Sequence, residues 1–479
     1  MLNILFKTSS YLLLTIVLSS CASTSFSDLF SNYNQQMSAV KKAQQQGDFQ
    51  QALSVIPERS EGNGSFTLSI LEKARLEYLL GNYSVSQQDF EFVYRRVQEA
   101  DQAAKVQLSR GVEKAASVLS NDNAIRYEIP YYEQSMLNSY QALNYLNQQD
   151  FTGALVEIRR ANLVQNNALK ANQKELAESH SEMAKQGVTS ESLSSKYPSM
   201  NNAIGKVKNG FQNAYTFYLS GVLYEANGEP NSAYIDFKKA LEIYPHNITL
   251  QKDVWRLANA LGMDNDIPML KKRFSSDIIQ INHRSNKEKK GKLVIIVENG
   301  IIPNKEEVSI HLPIWSSSSR NYKFYNLALP RYQNKVRQYR GLSMNYQGKQ
   351  YQSEEIVRLQ SLAAKQLQDQ MPGIVARQVV RLIAKEEIRQ QMSRKGGDLG
   401  NIFANLYNIA SEKADTRSWS TLPDSIHILS TNFEPGEHEV KLTVNGNIHT
   451  INFRVNEDRQ TLIKLTAIGS YTNYQSFNL

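Results

Sequence analysis

The side chains best suited to chemistry are few in this sequence and lie far apart. Its seven histidines never pair at the i, i+3 or i, i+4 spacing that builds a helical zinc site. The sequence also lacks a GxSxG nucleophile elbow, a phosphate-binding loop and a dinucleotide-binding glycine motif. A glycosidase needs only two carboxylates placed in space, so Glu306 and Glu307 are the acidic pair to test, although paired charges more often cover a solvated strand edge. These patterns predict no enzyme, no metal site and no cofactor, with a cell-wall hydrolase as the alternative.

One further reactive group, the thiol of Cys21, follows an export-like N-terminus. Residues 11–18 form an apolar run after Lys7; the run is shorter than the roughly 20 residues that span a bilayer, but it suits a signal-peptide core. Because Cys21 is the only cysteine, a disulfide within the chain is excluded. The four residues that end at Cys21 (LSSC) resemble a bacterial lipobox. The resemblance implies that residues 1–20 are a lipoprotein signal peptide and that the Cys21 thiol is acylated.

The same resemblance implies a location. Residues 21–30 become a lipidated tether rich in Ser and Thr, and two or more acyl chains are what lasting membrane anchoring needs. Ala22 after the cysteine, in place of Asp, implies by similarity to Gram-negative lipoproteins that the protein is released to the outer membrane, where it faces the periplasm. The chain is moderately basic, with a net charge of +8 and a pI near 9.1. Nucleic acid is one interpretation of that charge, but the export signal argues against it.

Residues 217–245 have the spacing of two short amphipathic helices joined by a tight turn. Gly228 stands where the first helix must stop, and Pro230 suits the first turn of the second. The order of large, small and helix-ending residues resembles the tetratricopeptide repeat. The predicted repeat core consists of Phe217, Gly221, Tyr224, Gly228, Ala233, Phe237, Ala240 and Pro245.

A single repeat of this kind cannot bury its apolar face, and about three stacked repeats are usually needed. Weaker versions of the pattern begin near Gly47, Ala74 and Tyr140, and residues 251–261 have the pattern of a closing helix. We therefore predict a helical-repeat domain at 31–265. A Ser/Asn/Lys-rich insertion at about 185–208 is predicted to be a mobile excursion between paired helices.

Aromatic and charged residues outside the repeat core are the candidates for contact with a partner. Residues 121–132 are predicted to form a Pro-broken loop, and loops on a rigid scaffold tend to carry recognition residues. Two arginines at 159 and 160 could pair with acidic residues of that loop. Arg417 and Trp419 predict either a cation–π lock across the domain junction or a glycan contact through Trp419, and simple packing is the alternative for the tyrosines. The partner-binding candidates are Arg126, Tyr127, Glu128, Tyr131, Tyr132, Arg159, Arg160, Arg417 and Trp419.

Residues 275–479 change from strand to helical periodicity and back. Residues 353–392 predict an αα-hairpin or one kinked helix around Pro372, and residues 399–410 predict a further helix after a Gly-Gly break. The predicted fold class is α + β in two domains, with an N-terminal all-α tetratricopeptide-like array and a C-terminal α+β domain that has a mostly antiparallel sheet. Apolar or alternating runs predict strands at 293–297, 308–312, 327–329, 342–346, 425–429, 439–444, 448–455 and 461–466.

Four strings together resemble a family of tetratricopeptide-repeat-bearing envelope lipoproteins of Gram-negative bacteria: the lipobox, YQALNYL (140–146), VENGIIPNKEEV (297–308) and ADTRSWSTLPDSI (414–426). The family has no established catalytic residues, and the resemblance implies an envelope protein as partner and a context in cell-wall synthesis or envelope assembly. We therefore predict a lipid-anchored scaffold that binds its partner through the groove of the helical repeats. The alternatives are a peptidoglycan-binding or peptidoglycan-active protein that uses the C-terminal domain, and a structural subunit of an envelope or secretion complex.

Overall fold

Helices fill the N-terminal half of the computed structural model, which describes residues 32–109, 122–280, 290–316, 321–411 and 413–479. The predicted signal peptide, Cys21 and the tether lie outside these residues. The helices before the first strand, with a short 3₁₀ turn at Asp122–Ala124, are α1 (Tyr33–Gln36), α2 (Ser38–Gln45), α3 (Phe49–Ser54), α4 (Phe66–Leu80), α5 (Tyr83–Ser109), α6 (Tyr131–Asn147), α7 (Phe151–Lys185), α8 (Ser190–Ser194), α9 (Asn201–Ile204), α10 (Ala214–Ala226), α11 (Pro230–Ile243), α12 (Ile248–Ala260), α13 (Ile267–Arg273) and α14 (Ser276–Gln280).

Four helix pairs form the predicted repeat array. The pairs are α2/α3, α4/α5, α6/α7 and α10/α11; each packs against the next, and α12 closes the array beside α11. Gly81 and Gly228 have φ values of +84° and +74° in the turns of the second and fourth pairs, a left-handed conformation that favours glycine. The tetratricopeptide-like helical array is therefore confirmed.

The fourth pair shows why a small residue is needed in its first helix. Phe237 of α11 is fully buried, and its ring lies directly against Gly221 of α10. A Cβ atom added at Gly221 would stand 2.5 Å from Phe237 Cε1. The remaining large core residues of the pair, Phe217 and Tyr224, are buried as well. The two helices approach closely because Gly221 leaves room for the phenylalanine ring.

The insertion at 185–208 is packed, which differs from the mobile excursion that its composition predicts. It contains the short helices α8 and α9, and the Tyr197 hydroxyl donates a 2.6 Å hydrogen bond to the Pro330 carbonyl. Asn334 Oδ1 accepts a 2.7 Å hydrogen bond from the Asn202 N–H. Both partners come from the C-terminal half, so a local composition signal could not reveal these contacts.

The C-terminal half contains two sheets and a two-stranded ribbon. The five-stranded sheet has the order β11-β10-β1-β7-β6, the four-stranded sheet has the order β5-β4-β8-β9, and β2 pairs with β3. β1 and β10 are parallel, whereas the other described pairings are antiparallel, so a mostly antiparallel architecture is confirmed. The strands are β1 (Gly291–Asn299), β2 (Glu306–Ser316), β3 (Asn321–Arg331), β4 (Ser343–Tyr346), β5 (Lys349–Gln352), β6 (Glu354–Arg358), β7 (Ser425–Phe433), β8 (Gly436–Val444), β9 (Asn447–Val455), β10 (Gln460–Ile468) and β11 (Tyr471–Asn478).

The five-stranded sheet is the central layer, because both of its faces are covered. Leu293, Ile295 and Val297 of β1 pack against the four-stranded sheet. Val294 and Ile296 point the other way and share a core with the helical array. Burial on both faces explains why β1 is a continuous apolar run rather than an alternating one.

One long helix, α15 (Leu359–Ser411), replaces both the αα-hairpin considered for 353–392 and the separate helix predicted at 399–410; around Pro372 it agrees with the alternative of one helix. The backbone stays helical through Pro372 and through the glycines at 396 and 397, so the predicted separate helix at 399–410 is wrong. The predicted start at 353 is also wrong, because Glu354–Arg358 is strand β6, which pairs with β7. Contacts with α7 and β3 support α15. Among the described residues, no helix combines the length and the apolar character needed to cross a membrane.

Replacing Gly221 with alanine should destabilise the protein, although alanine is the better helix former. The added methyl group would meet the buried Phe237 ring, and overpacking of this kind costs roughly 1–3 kcal/mol of unfolding free energy. Urea denaturation followed by far-ultraviolet circular dichroism measures the loss. The double variant Gly221→Ala, Phe237→Leu should lose less than the sum of the two single variants. Simple additivity would contradict this explanation.

Candidate functional site

The first helix of each repeat (α2, α4, α6 and α10), together with α12, forms one face of the array, here called the inner face. This face meets the central sheet and its loops. At one end, Lys41 Nζ of α2 donates a 2.6 Å hydrogen bond to the Ile302 carbonyl. At the other end, Lys292 Nζ of β1 lies 2.5 Å from Asp253 of α12. The C-terminal half of the chain therefore fills the inner face, which corrects the prediction that a partner binds in that groove.

A buried carboxylate, Glu298 near the end of β1, is at the centre of this contact. Arg75 Nη2 of α4 and Lys464 Nζ of β10 lie 2.6 Å and 3.0 Å from Glu298 Oε2. The Tyr140 hydroxyl of α6 donates to Oε1 at 2.8 Å, and the Arg75 guanidinium lies 4.3 Å from the centroid of the Tyr140 ring. Burial acts to raise the pKa of Glu298, but the two cations outweigh it and lower that pKa to about 2. Glu298 is therefore a charged group held in the interior by cations from both halves.

A second ionic cluster holds the start of β1. Lys292 Nζ lies 3.2 Å from Glu225 of α10 as well as close to Asp253, and Arg256 of α12 approaches Glu225 at 2.6 Å. Burial acts to raise the pKa of Glu225, but Lys292 and Arg256 lower it to about 2. The two clusters thus fix both ends of β1 on the inner face.

The segment 414–424, which leads from α15 to β7, crosses the inner face and is almost wholly buried. Glu72 Oε1 of α4 accepts hydrogen bonds from the N–H and the hydroxyl of Ser420, each at 2.7 Å. Glu133 Oε1 of α6 accepts a 3.0 Å hydrogen bond from the Trp419 N–H. Burial raises the pKa of Glu133 to about 7, although these hydrogen bonds oppose the rise. Two carboxylates of the array therefore help to position this segment, whose last residue also donates a 3.0 Å backbone hydrogen bond to Asn299 of β1.

Four of the predicted partner-binding residues are interior side chains. Tyr127, Tyr132, Arg417 and Trp419 are between 0% and 6% exposed. The two tyrosine hydroxyls donate to Glu133 at 3.0 Å and 2.9 Å, and Tyr132 lies in the first turn of α6 rather than in the predicted loop. A buried side chain cannot reach a partner, so the binding role predicted for these four is wrong. The glycan contact through Trp419 is excluded for the same reason.

Arg417 does lock the two halves together, but its aromatic partner is Tyr127 and not Trp419. The guanidinium carbon lies 5.5 Å from the centroid of the Tyr127 ring. Arg417 also donates to the backbone carbonyls of Asp122 and Ile125, each at 2.8 Å. Trp419 instead packs among rings of the array, namely Phe90 and Tyr140.

Three other candidates lie where α6 begins. Arg126 and Glu128 are exposed in the loop before α6, as the sequence predicts. Tyr131 is half-buried and is the first residue of α6. These three stay candidates for contact with a partner.

The last two candidates, Arg159 and Arg160, lie on α7 and do not reach the acidic residues of that loop. Arg159 lies 3.3 Å from Glu229, and Arg160 lies 3.0 Å from Glu91. Both carboxylates belong to neighbouring repeats. The two arginines therefore link repeats along the array and do not form one surface with Arg126.

The acidic pair Glu306 and Glu307 does not form a catalytic site. The two residues are adjacent on β2, so their side chains point to opposite sides of the ribbon. Glu306 lies 3.4 Å from Arg331, whereas Glu307 accepts a 2.7 Å hydrogen bond from the Ala414 N–H. Across the described ranges, no three His, Cys, Asp or Glu side chains are grouped so that they could hold a metal ion.

A large cleft of about 1340 Å³ opens on the flank of the fourth repeat, and we call it the flank cleft. Its lining residues are Phe217 of α10 and residues within 165–169 of α7, 202–212, 239–247 at the end of α11, 334–338, and 354–362 of β6 and α15. Some walls belong to the array and others to the α+β domain. The flank cleft therefore exists only because the two halves are joined.

The lining of the flank cleft includes exposed, positively charged side chains. The exposed lysines Lys206, Lys208 and Lys335 line it, and no residue in the described part of the chain forms an ion pair with them. A fourth lysine, Lys239, is paired with Asp236 at 3.1 Å.

The acidic residues of the flank cleft are mostly used within the fold. Glu354 accepts a 2.6 Å hydrogen bond from the Ile248 N–H and so caps the start of α12. Glu355 pairs with Arg358. Glu242 is the exposed acidic side chain that remains. The uncompensated charge of the lining is therefore positive.

No sequence pattern predicted the flank cleft. Lys206 and Lys208 lie in the stretch that we predicted to be mobile, and residues 334–338 have no periodic pattern. The available signal was the pair of lysines followed by amide side chains at 209 and 212. That signal cannot show which distant segment forms the opposite wall.

No protein-family model matches the sequence, and no curated protein matches it. Several solved structures are similar in fold. A MamA crystal structure covers 49% of this chain and 91% of its own, at 11% identity and a TM-score of 0.26. "MamA 41-end" from Desulfovibrio magneticus RS-1 covers 53% and 97%, at 10% identity and a TM-score of 0.26. The TPR2AB domain of yeast Sti1, in complex with pHSP90, covers 52% and 92%, at 11% identity and a TM-score of 0.19.

Replacing Glu298 with glutamine should destabilise the protein by about 3–5 kcal/mol, because Arg75 and Lys464 would then be buried without a counter-charge. Urea denaturation measures the change. The matched control is Glu437→Gln, which removes an exposed ion pair with Arg454 and should change the free energy of unfolding by less than about 1 kcal/mol. Equal losses in the two variants would contradict the central role of Glu298.

The free energy of unfolding should lose the contribution of Glu133 as the pH rises from the unfolded-state pKa of a glutamate, about 4.3, to about 7. The folded-state pKa of Glu133, about 7, is raised above the unfolded value, so its contribution is present at low pH and is lost as the pH rises through about 7. Glu133→Gln keeps the side-chain shape but does not titrate, so it should reduce this loss by roughly 2 kcal/mol. Chemical denaturation across this pH range measures the free energy of unfolding. The control is Glu128→Gln, which replaces an exposed carboxylate. An unchanged profile in Glu133→Gln would show that Glu133 is not the titrating group.

Proposed function

We propose that this protein is a lipid-anchored scaffold of the bacterial envelope that binds a protein partner at the outer membrane, in cell-wall synthesis or envelope assembly. The lipobox-like residues that end at Cys21 support the anchor. The helical-repeat array supports a scaffold, since repeat architectures present extended surfaces to other proteins.

The observation that carries the partner-binding part is the flank cleft. The inner face is filled by the protein's own sheet, so a partner has to use another surface. The flank cleft is open and has three lysines without ion-pair partners among the described residues. It also lies between two halves that the Glu298 cluster holds together, so its walls are preorganised for binding.

The anchor and the cleft would act together. A lipid on Cys21 would confine the protein to one membrane surface, which raises its effective concentration relative to partners on the same membrane. A modest affinity at the flank cleft would then be enough for stable association. In this proposal the export signal and the lipid bring the scaffold to the membrane of its partner, and the flank cleft binds the partner there.

Replacing Cys21 with serine should abolish lipid attachment and release the protein from the membrane, because the thiol is the proposed acylation site. Cells that express wild type or Cys21→Ser are labelled with radioactive palmitate and then fractionated. We expect label and outer-membrane location for the wild type and neither for the variant. The control is Thr24→Ser, which changes a residue of the tether and leaves Cys21 in place. Membrane-bound, labelled Cys21→Ser would contradict the anchor.

Partner binding is tested by crosslinking in intact cells, followed by pull-down of the tagged protein. A defined envelope protein recovered with the wild type and reduced with Cys21→Ser would support the scaffold. An empty pull-down, combined with retention of isolated peptidoglycan by the purified protein, would favour the peptidoglycan-binding alternative.

A further inference from the structure

We infer that the flank cleft binds an extended, acidic peptide segment of the partner protein. The inference rests on the proposed scaffold function and specifies the chemistry of its contact. The flank cleft is larger than a typical small-molecule site: its volume of about 1340 Å³ exceeds the roughly 300–1,000 Å³ of ordinary small-molecule pockets. A segment of polymer suits such a space better than a metabolite does.

The charge of the cleft lining indicates the sign of the ligand's charge. Lys206 and Lys208 come from the N-terminal half and Lys335 from the C-terminal half, so both halves contribute lysines to the lining of the cleft. All three are exposed, and no ion pair with them occurs in the described part of the structure. The two acidic lining residues on β6 already have partners. Glu354 caps the start of α12, and Glu355 pairs with Arg358. The site therefore favours an anionic ligand.

The uncharged lining favours a peptide among the anionic polymers. Exposed amide side chains at Asn166, Asn202 and Gln338 each offer a donor and an acceptor, as a peptide backbone does. Leu169 is 54% exposed beside them, and half-buried Val336 adds aliphatic surface. This combination can contact both the backbone and the apolar side chains of an extended segment.

Aromatic residues are poorly placed for a glycan or a nucleic acid. Those ligands are usually held by exposed ring faces on which sugars or bases stack. Phe217 lines the cleft but is 3% exposed, and the Lys239 ammonium lies 5.2 Å from its ring centroid. Of the other ring side chains in the lining, Tyr244 is half-buried and the His246 imidazole is exposed, so a single small ring is available and not a platform of several rings. An acidic peptide therefore fits the flank cleft better than either alternative.

The test uses the purified full-length mature chain with Cys21→Ser, so that no lipid is needed. The probe is a fluorescein-labelled ten-residue peptide built from Glu, Leu and Gly, and two matched peptides carry Gln or Lys in place of Glu. Fluorescence anisotropy should show binding of the Glu peptide at least about tenfold tighter than of the Gln peptide, and weaker binding as salt screens the lysines. Equal binding of the Glu and Gln peptides, or no binding of the Glu peptide at about 1 mM, would overturn the proposal.

Charge reversal locates the binding. The triple variant Lys206→Glu, Lys208→Glu, Lys335→Glu should weaken binding of the Glu peptide by at least about tenfold. The three side chains are exposed, so the variant should fold, which circular dichroism and thermal melting check.

A matched control separates local charge from net charge. Lys271→Glu, Lys349→Glu, Lys441→Glu makes the same number of charge reversals at exposed lysines outside the lining of the flank cleft. It should leave binding of the Glu peptide within about twofold of the wild type, apart from weak long-range effects that salt removes. Equal losses in both triple variants would mean that general charge, not the flank cleft, attracts the peptide, and would overturn the proposal.

A photocrosslinking amino acid at Gln338 tests the same site in cells, with Lys349 as the control position. Mass spectrometry should map the Gln338 adduct to an acidic segment of a protein, and the lysine triple variant should remove it. An adduct on a peptidoglycan fragment or on a basic segment would overturn the proposal. These readouts differ from membrane fractionation, so failure of the anchor and failure of the cleft can be told apart.

Discussion

Glu298 can stay charged in the interior only while Arg75 and Lys464 stay beside it. Arg75 belongs to the second repeat, whereas Glu298 and Lys464 belong to adjacent parallel strands of the central sheet. Separation of the two halves would leave charges without partners and would expose the apolar face that includes Val294 and Ile296. The array and the α+β domain are therefore parts of one unit with a shared core.

This union changes what the repeats can do. Repeat arrays commonly offer a concave surface to other proteins, but here the corresponding helices bind the chain's own sheet and the segment 414–424. Glu72 and Glu133 serve that segment as hydrogen-bond acceptors, so carboxylates that would look like recognition residues have structural roles. A partner is left with outer surfaces, and the flank cleft is one that both halves build.

Burial acts to raise the pKa of both Glu298 and Glu133, but the two pKa values end up shifted in opposite directions. Glu298 has two cations in contact, and its pKa is lowered to about 2. The contacts of Glu133 are hydrogen bonds from Tyr127, Tyr132 and the Trp419 N–H, and burial raises its pKa to about 7. Neighbouring positions on one interface can therefore favour the charged or the neutral form, because the difference lies in what touches the oxygen atoms.

By itself, the sequence determined the features that depend on neighbours along the chain. The turn at Gly228 and Pro230 and the buried strand at 293–297 both follow from local spacing and backbone preference, and the structure contains them. Only the tertiary structure decided that β6 pairs with β7, that the insertion is packed, that Trp419 is buried and that the inner face is filled. Each of these depends on contacts between residues far apart in the chain, whose free energy no local pattern records. The flank cleft belongs to the same class, because its walls meet only after the two halves have joined.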